Sequence, residues 1–225
     1  MPLVPVKQLK NAIEKLTKWE RTGKAFGFIK SVPDDDDSYI YEFFCASSVL
    51  KDLSKKHEIE LVKNPAGKYV FPRNPADKAG YSRFSIKDLT TGNELFQFCL
   101  GTNIRISDCP GTTFAADISI QRKNAKIDPD ERDVILIMDA KYKINKSKEI
   151  DVKIIREFAR CVADFKVPKD AKKGLKFDKL ISLNSNCLFT NGKAAAKHEI
   201  YCRKRFVTQV GRFDCDGRVI DVVGW

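Results

Sequence analysis

The chain has 225 residues, 43% of them hydrophobic, which excludes a disordered polymer and leaves room for one domain with a true core. Lysine and arginine outnumber aspartate and glutamate by 41 to 30, a net charge of +11; this excess favours a polyanionic partner without choosing among DNA, RNA and an acidic membrane surface. No stretch approaches the roughly 20 apolar residues that span a bilayer, and residues 1–7 lack a basic segment followed by an apolar block, so neither a membrane span nor a secretory leader is expected, and a cytoplasmic location is.

In chain order, residues 6–21 read as an amphipathic helix, with Leu9, Ile13, Leu16 and Trp19 at helical spacing. Thr22-Gly23 closes it, so the first 30 residues form a helical extension. Residues 26–29 are a short apolar piece. The acids at 34–37 lack metal-ligand spacing and read as a solvated loop, with Ser38 capping a second helix over 39–56. Its stripe is Ile40, Phe43, Phe44, Ser47 and Leu50; Glu42 lies at the margin, near Val49 and Leu53. Short strands are expected at 59–62 and 69–71, on either side of the Asn64-Pro65-Ala66-Gly67 turn, then a loop over 73–80. Further strands follow at 83–86 and 95–100, with 104–106 extending or following the latter. Residues 114–120 and 134–138 are clearer strands. A helix over 150–165 turns Ile154, Ile155, Phe158 and Val162 inward, and a parallel strand is expected after it at 180–183. Residues 184–225 supply a helix at 194–203 and a hairpin, 206–213 with 219–223, around Asp214-Cys215-Asp216-Gly217. The fold class is α/β (mixed α+β), a central mixed sheet flanked by helices within a single domain.

The seven cysteines are scattered and form no CxxC pair, which argues for reduced, mostly buried thiols and against a structural zinc site. His57 and His198 adjoin no nucleophile motif and read as surface residues; there is no phosphate-binding GxxxxGK[ST] loop.

Chemistry concentrates where the apolar run Val134-Ile135-Leu136-Ile137-Met138 ends in Asp139-Ala140-Lys141. Residues two apart on a strand share a face, so Asp139 and Lys141 point the same way as the strand leaves the core. A carboxylate there needs a cation, a metal or water. Upstream, the strand-like 114–120 carries Asp117, and the segment between the two runs is polar and turn-rich. The bland alternative is an antiparallel sheet whose polar ends happen to carry Asp and Lys.

The pairing of Asp117 with Asp139-Ala140-Lys141 resembles the centre of the PD-(D/E)XK nuclease superfamily, over roughly residues 39–183. Within it, Asp139-Ala140-Lys141-Tyr142-Lys143 and Ile40-Tyr41-Glu42-Phe43-Phe44 are most similar to McrC-type restriction nucleases. The resemblance implies a restriction-endonuclease-like core and a metal-dependent DNA endonuclease, of restriction or phage-defence type. Its Mg2+, for which Mn2+ can substitute, would be held by Asp117, Asp139 and the Ala140 carbonyl. Glu42 would join a second metal or hold a metal-bound water. Lys141 would orient the attacking water and neutralise developing charge, acting as base only with a depressed pKa. Two departures leave the subfamily open: Ala116 stands where a proline often precedes the first acid, and Arg156 and Arg160 stand where many relatives carry a helix glutamine.

Lys143, Lys146, Lys148, Arg156 and Arg160 are candidate DNA-backbone contacts, although for the two arginines solvated ion pairs with Glu157 or Asp164 are slightly favoured. Implied partners are double-stranded DNA, a second copy in a homodimer for cutting both strands, and a separate NTPase subunit. An RNA-cleaving variant and a non-catalytic DNA-binding or assembly subunit on the same fold remain alternatives.

Overall fold

The computed structural model describes residues 6–165, 169–216 and 220–224. One mixed sheet of eight strands runs through it in sequence order. β1 (Glu58–Val62), β2 (Arg83–Lys87), β3 (Glu94–Arg105), β4 (Thr113–Arg122) and β5 (Val134–Lys141) form an antiparallel meander. β6 (Asn186–Thr190) pairs with β5, and β7 (Val207–Gly211) with β6, both parallel; β8 (Asp221–Val223) returns antiparallel to β7.

Helices cover both faces, because the central strands are apolar on both. α1 (Val6–Leu16), α2 (Lys24–Lys30) and α3 (Asp37–Leu53) cover one, where Met138, Cys187 and Phe189 join their core. α4 (Val152–Asp164) and α5 (Glu199–Lys204) cover the other, over Ile137, Leu188 and Val207. Each lies in the crossover between two parallel strands, as such connections require. α3 is buried nearly all round. Its fully buried Tyr41 donates to the Phe213 carbonyl (2.8 Å), tying the helix to the end of β7.

Several local expectations change. Asp36, not Ser38, caps α3, accepting from the Tyr39 amide at 3.4 Å; Ser38 is already helical. Residues 26–29 are the middle of α2. Residues 69–71 form no strand, since Val70 exchanges bonds only with Ser82, while Phe71 packs against Phe28, Phe43 and Phe84. Residues 104–105 are the end of β3. His57 is buried, not a surface residue, and its Nε2 accepts from the Lys176 amide at 3.0 Å.

The parallel strand after α4 is β6 and not 180–183, which form a short 3-10 turn. The buried Asp52 carboxylate on α3 takes the amides of Asp178, Lys179 and Leu180 at 2.8, 2.9 and 3.2 Å. Those donors are thereby lost to a ladder. The sheet therefore continues past residue 183 through β8. Within the expected hairpin, Gly217 and Val219 lie outside the described residues.

Candidate active site

β4 and β5 pair from Gln121 and Val134 to Ile118 and Met138, where the ladder stops. The next residues outward are Asp117 and Asp139, which face each other across the open end. What holds them is a change of partner. The Ala140 amide donates to Asp117 Oδ2 at 2.7 Å, a side-chain bond at the point where the ladder ends. β3 contributes to the opening: Gly101, at φ +51, lies opposite Asp117 between the paired positions Leu100–Ile118 and Thr102–Ala116. Its carbonyl accepts from the Ala76 amide (2.9 Å) and a Cβ there would lie 3.1 Å from Pro72. A glycine lets the loop over residues 72–76 close against the strand.

Lys141 bridges the acids. Its Nζ is 2.7 Å from Asp139 Oδ2 and 3.8 Å from Asp117 Oδ2, so the alternation of β5 brings Asp139 and Lys141 together as the sequence indicates. Glu42, from α3, and Asp117 line one cleft of about 210 Å³ with Tyr39, Arg73, Asn74 and Gly101.

The electrostatics follow from three acids near one half-buried ammonium. Burial, and then the Asp139 carboxylate, push Asp117 well above the usual carboxylate range. Burial pushes Glu42 up to about 7, with Lys141 opposing the rise and Asp139 adding to it. Burial pulls Lys141 down, but Asp139 and Asp117 outweigh it and the lysine ends above its ordinary value. That suits an ammonium that stays charged. Asp139 also reaches the other layer: the Cys161 thiol of α4 is pushed up to about 11, by burial first and Asp139 second. The acid pair thus sits where the sheet ends between α3 and α4.

Hard carboxylate oxygens in surplus over nearby ammonium fit Mg2+, which binds through one or two carboxylates and keeps its waters. Among the described residues, no set of three His, Cys, Asp or Glu converges on one point. The geometry therefore groups Asp117 with Asp139 and leaves Glu42 as a neighbour in the cleft. Ala140 enters through its amide, which orients Asp117.

The basic candidates divide. The Lys143 backbone is clamped by Asn191, whose Oδ1 accepts at 2.6 Å and whose Nδ2 donates at 2.9 Å. Lys146 is no free cation: it pairs with Asp214 and, at 3.4 Å, with Asp216. Lys148 is exposed. Arg156 and Arg160 are exposed on α4, and neither pairs with Glu157 or Asp164; Glu157 faces Lys153 instead. They line a separate groove with Tyr201 and Arg205. Sequence reasoning missed Arg73 and Asn74 at the cleft, and Asp214, which carries no local signal linking it to a lysine 68 residues earlier.

No helix among the described residues is long and apolar enough to cross a membrane. No protein-family model, curated protein or solved structure matches the chain.

Proposed function

We propose that this protein is a metal-dependent nuclease that hydrolyses phosphodiester bonds of DNA, on a restriction-endonuclease-like core and in the service of restriction or phage defence. The observation that carries the reading is the facing of Asp117 and Asp139 across the opened end of β4 and β5, with Lys141 between them. Two acids and a lysine could staple a sheet. A staple, however, gains nothing from crowding a second carboxylate against Asp117, which burial and the Asp139 charge already penalise.

The residues divide the work. Asp117, fixed by the Ala140 amide, and Asp139 would hold Mg2+, with the Ala140 carbonyl as a further oxygen. When bound, the ion lowers the pKa of water and polarises the scissile phosphate. Lys141 Nζ, held in place by the same two carboxylates, orients the attacking water and offsets the negative charge that builds on the phosphoryl oxygens. Glu42, at about 7, is the cleft carboxylate whose value suits proton exchange with water near neutral pH. Water adds to phosphorus and gives up its proton to Glu42 or to solvent, the bond to the leaving sugar oxygen breaks, and that oxygen is protonated from solvent. The exposed Lys148, Arg156 and Arg160 are available to backbone phosphates; Lys146 is not, because its ion pairs already engage it.

The test is incubation with supercoiled plasmid at low salt with Mg2+, Mn2+ or EDTA, alongside Asp139→Ala and Lys141→Ala. Metal-dependent nicking or linearisation lost in both variants supports the reading. Cleavage that survives both places the chemistry elsewhere. Salt-sensitive binding without cleavage shifts the weight to a non-catalytic subunit or to a nuclease that needs its NTPase partner.

A further inference from the structure

Away from the acid pair, α4 and α5 lie side by side on the same face of the sheet and leave a groove between them. Arg156 and Arg160 line one wall, Tyr201 and Arg205 the other. Asp164 is the one acid there. Arg156, Arg160 and Arg205 form no ion pair with a described residue; Arg205 instead lies over the Tyr201 ring, 5.8 Å from its centroid. Some neighbouring cations are paired, Arg203 with Glu199, Lys197 with Glu149 and Lys153 with Glu157. The groove is thus a place where guanidinium groups gather without carboxylate partners, geometry suited to phosphate oxygens.

A second observation comes from the backbone. Phe206, next after Arg205, is 79% exposed and has φ +56. A bulky non-glycine residue in the left-handed region is strained, and an exposed phenyl ring adds nothing to the core. The left-handed turn itself ends α5, with the Phe206 amide on the Arg203 carbonyl at 3.3 Å, but glycine would serve there at less cost, and the exposed ring has no part in ending the helix. The exposed ring follows directly in the chain on Arg205, which lines the groove, and an aromatic face with nearby cations is the combination that binds unpaired bases by stacking and their backbone by charge.

We propose that the α4–α5 groove and Phe206 form a landing site for single-stranded nucleic acid, with phosphates along Arg156, Arg160 and Arg205 and an unpaired base stacked on Phe206. This deepens the nuclease reading and rests on it for the identity of the polyanion. The strand is one that leaves the cutting site unpaired, at a frayed end or beside the nick.

The test is fluorescence anisotropy in EDTA, so that no cleavage intervenes, with labelled oligo(dT), oligo(U) and a blunt DNA duplex of the same length over a salt series. Phe206→Asn removes the ring and suits the left-handed backbone; Phe206→Trp keeps a stacking face. Expected is a loss of about tenfold in oligo(dT) affinity for Phe206→Asn, none for Phe206→Trp, and little change in duplex binding for either. Replacing Arg156, Arg160 and Arg205 by Gln should flatten the log–log salt slope by about 2. The oligo(U) arm shows whether the site takes RNA as well as DNA. Unchanged oligo(dT) affinity in Phe206→Asn overturns the proposal. So does an equal loss on single strand and duplex, which would mark an undirected basic surface. A third contrary result is a wild-type dimer that Phe206→Asn splits with single-strand binding untouched, because the ring then joins two copies. Asp139→Ala should bind oligo(dT) as the wild type does. Binding absent with plasmid nicking intact therefore sinks the groove alone, and nicking absent with binding intact sinks the nuclease alone.

Discussion

Two lysines of this protein each sit between two aspartates, and the two sets do different things. Lys141 contacts Asp139 and Asp117, while Lys146 contacts Asp214 and Asp216. The first set stands at the end of two core strands, and its Asp117 lines a cleft with Glu42 and Arg73. Three carboxylates, Asp117, Asp139 and Glu42, act on one another there around Lys141. The second set joins the segment after β5 to the turn before β8, in a hollow that also holds Lys193 and Arg212. Arg212 is taken by Asp221 at 2.9 Å, which leaves two carboxylates there to two lysines. A local pair therefore says little about purpose; the charge balance around it says more. The first set has carboxylate to spare and suits a divalent cation. The second is a clasp, with the Asp214 side chain only 4% exposed.

The largest expected effect separates the sets by activity. Asp139→Ala should lower the plasmid cleavage rate by at least about a thousandfold, because it removes a metal ligand and the partner that positions Lys141. Lys141→Gln should cost about a hundredfold, the range seen when one group that stabilises transition-state charge is lost. Comparable losses in Asp214→Ala at a temperature where that variant is folded would erase the distinction.

The same substitutions should reverse order in stability. Asp214→Ala leaves the half-buried Lys146 ammonium with only Asp216, and should cost about 2 kcal/mol, below the range for fully buried pairs because Lys146 is partly solvated. Thermal denaturation should show a fall of roughly 4–8 °C for a chain of this size. Asp139→Asn should leave the melting temperature unchanged or raise it slightly, since it relieves repulsion with Asp117. A large fall for Asp139→Asn would make the first set a clasp as well.

The last effect is a pH dependence. Glu42 is raised from the ordinary glutamate value of 4.5 to about 7. Between those values the folded protein binds more protons than the unfolded chain, so this group lowers stability as pH rises through the window. Glu42→Gln should therefore gain stability relative to wild type between about pH 5 and 7.5, read from denaturation midpoints across that range. A flat difference would mean that Glu42 is solvated and sits apart from the acid pair.

What the sequence disclosed depended on how far each interaction reaches along the chain. β5 and its Asp139-x-Lys141 ending were legible because strand periodicity is local, and Asp117 followed because β4 carries the same signal. Glu42 was placed only at the margin of an apolar stripe; whether a margin faces a cleft depends on packing between helix and sheet. The expected strand at 180–183 failed because Asp52, over 120 residues earlier, captures three consecutive amides. His57 was misplaced for a similar reason: its partner is the amide of Lys176. Lys146 looked available to DNA because Asp214 and Asp216 lie about 70 residues downstream, and no composition rule pairs them.

Manganese binding followed by electron paramagnetic resonance tests the central contrast most directly, because it reads the metal without requiring substrate or turnover. The wild type and Asp214→Ala should both bind Mn2+ with competition by Mg2+, and the Asp117→Asn, Asp139→Asn double variant should not. Binding that survives in the double variant, or that disappears in Asp214→Ala while the protein stays folded, would place the metal with the wrong lysine and contradict the assignment.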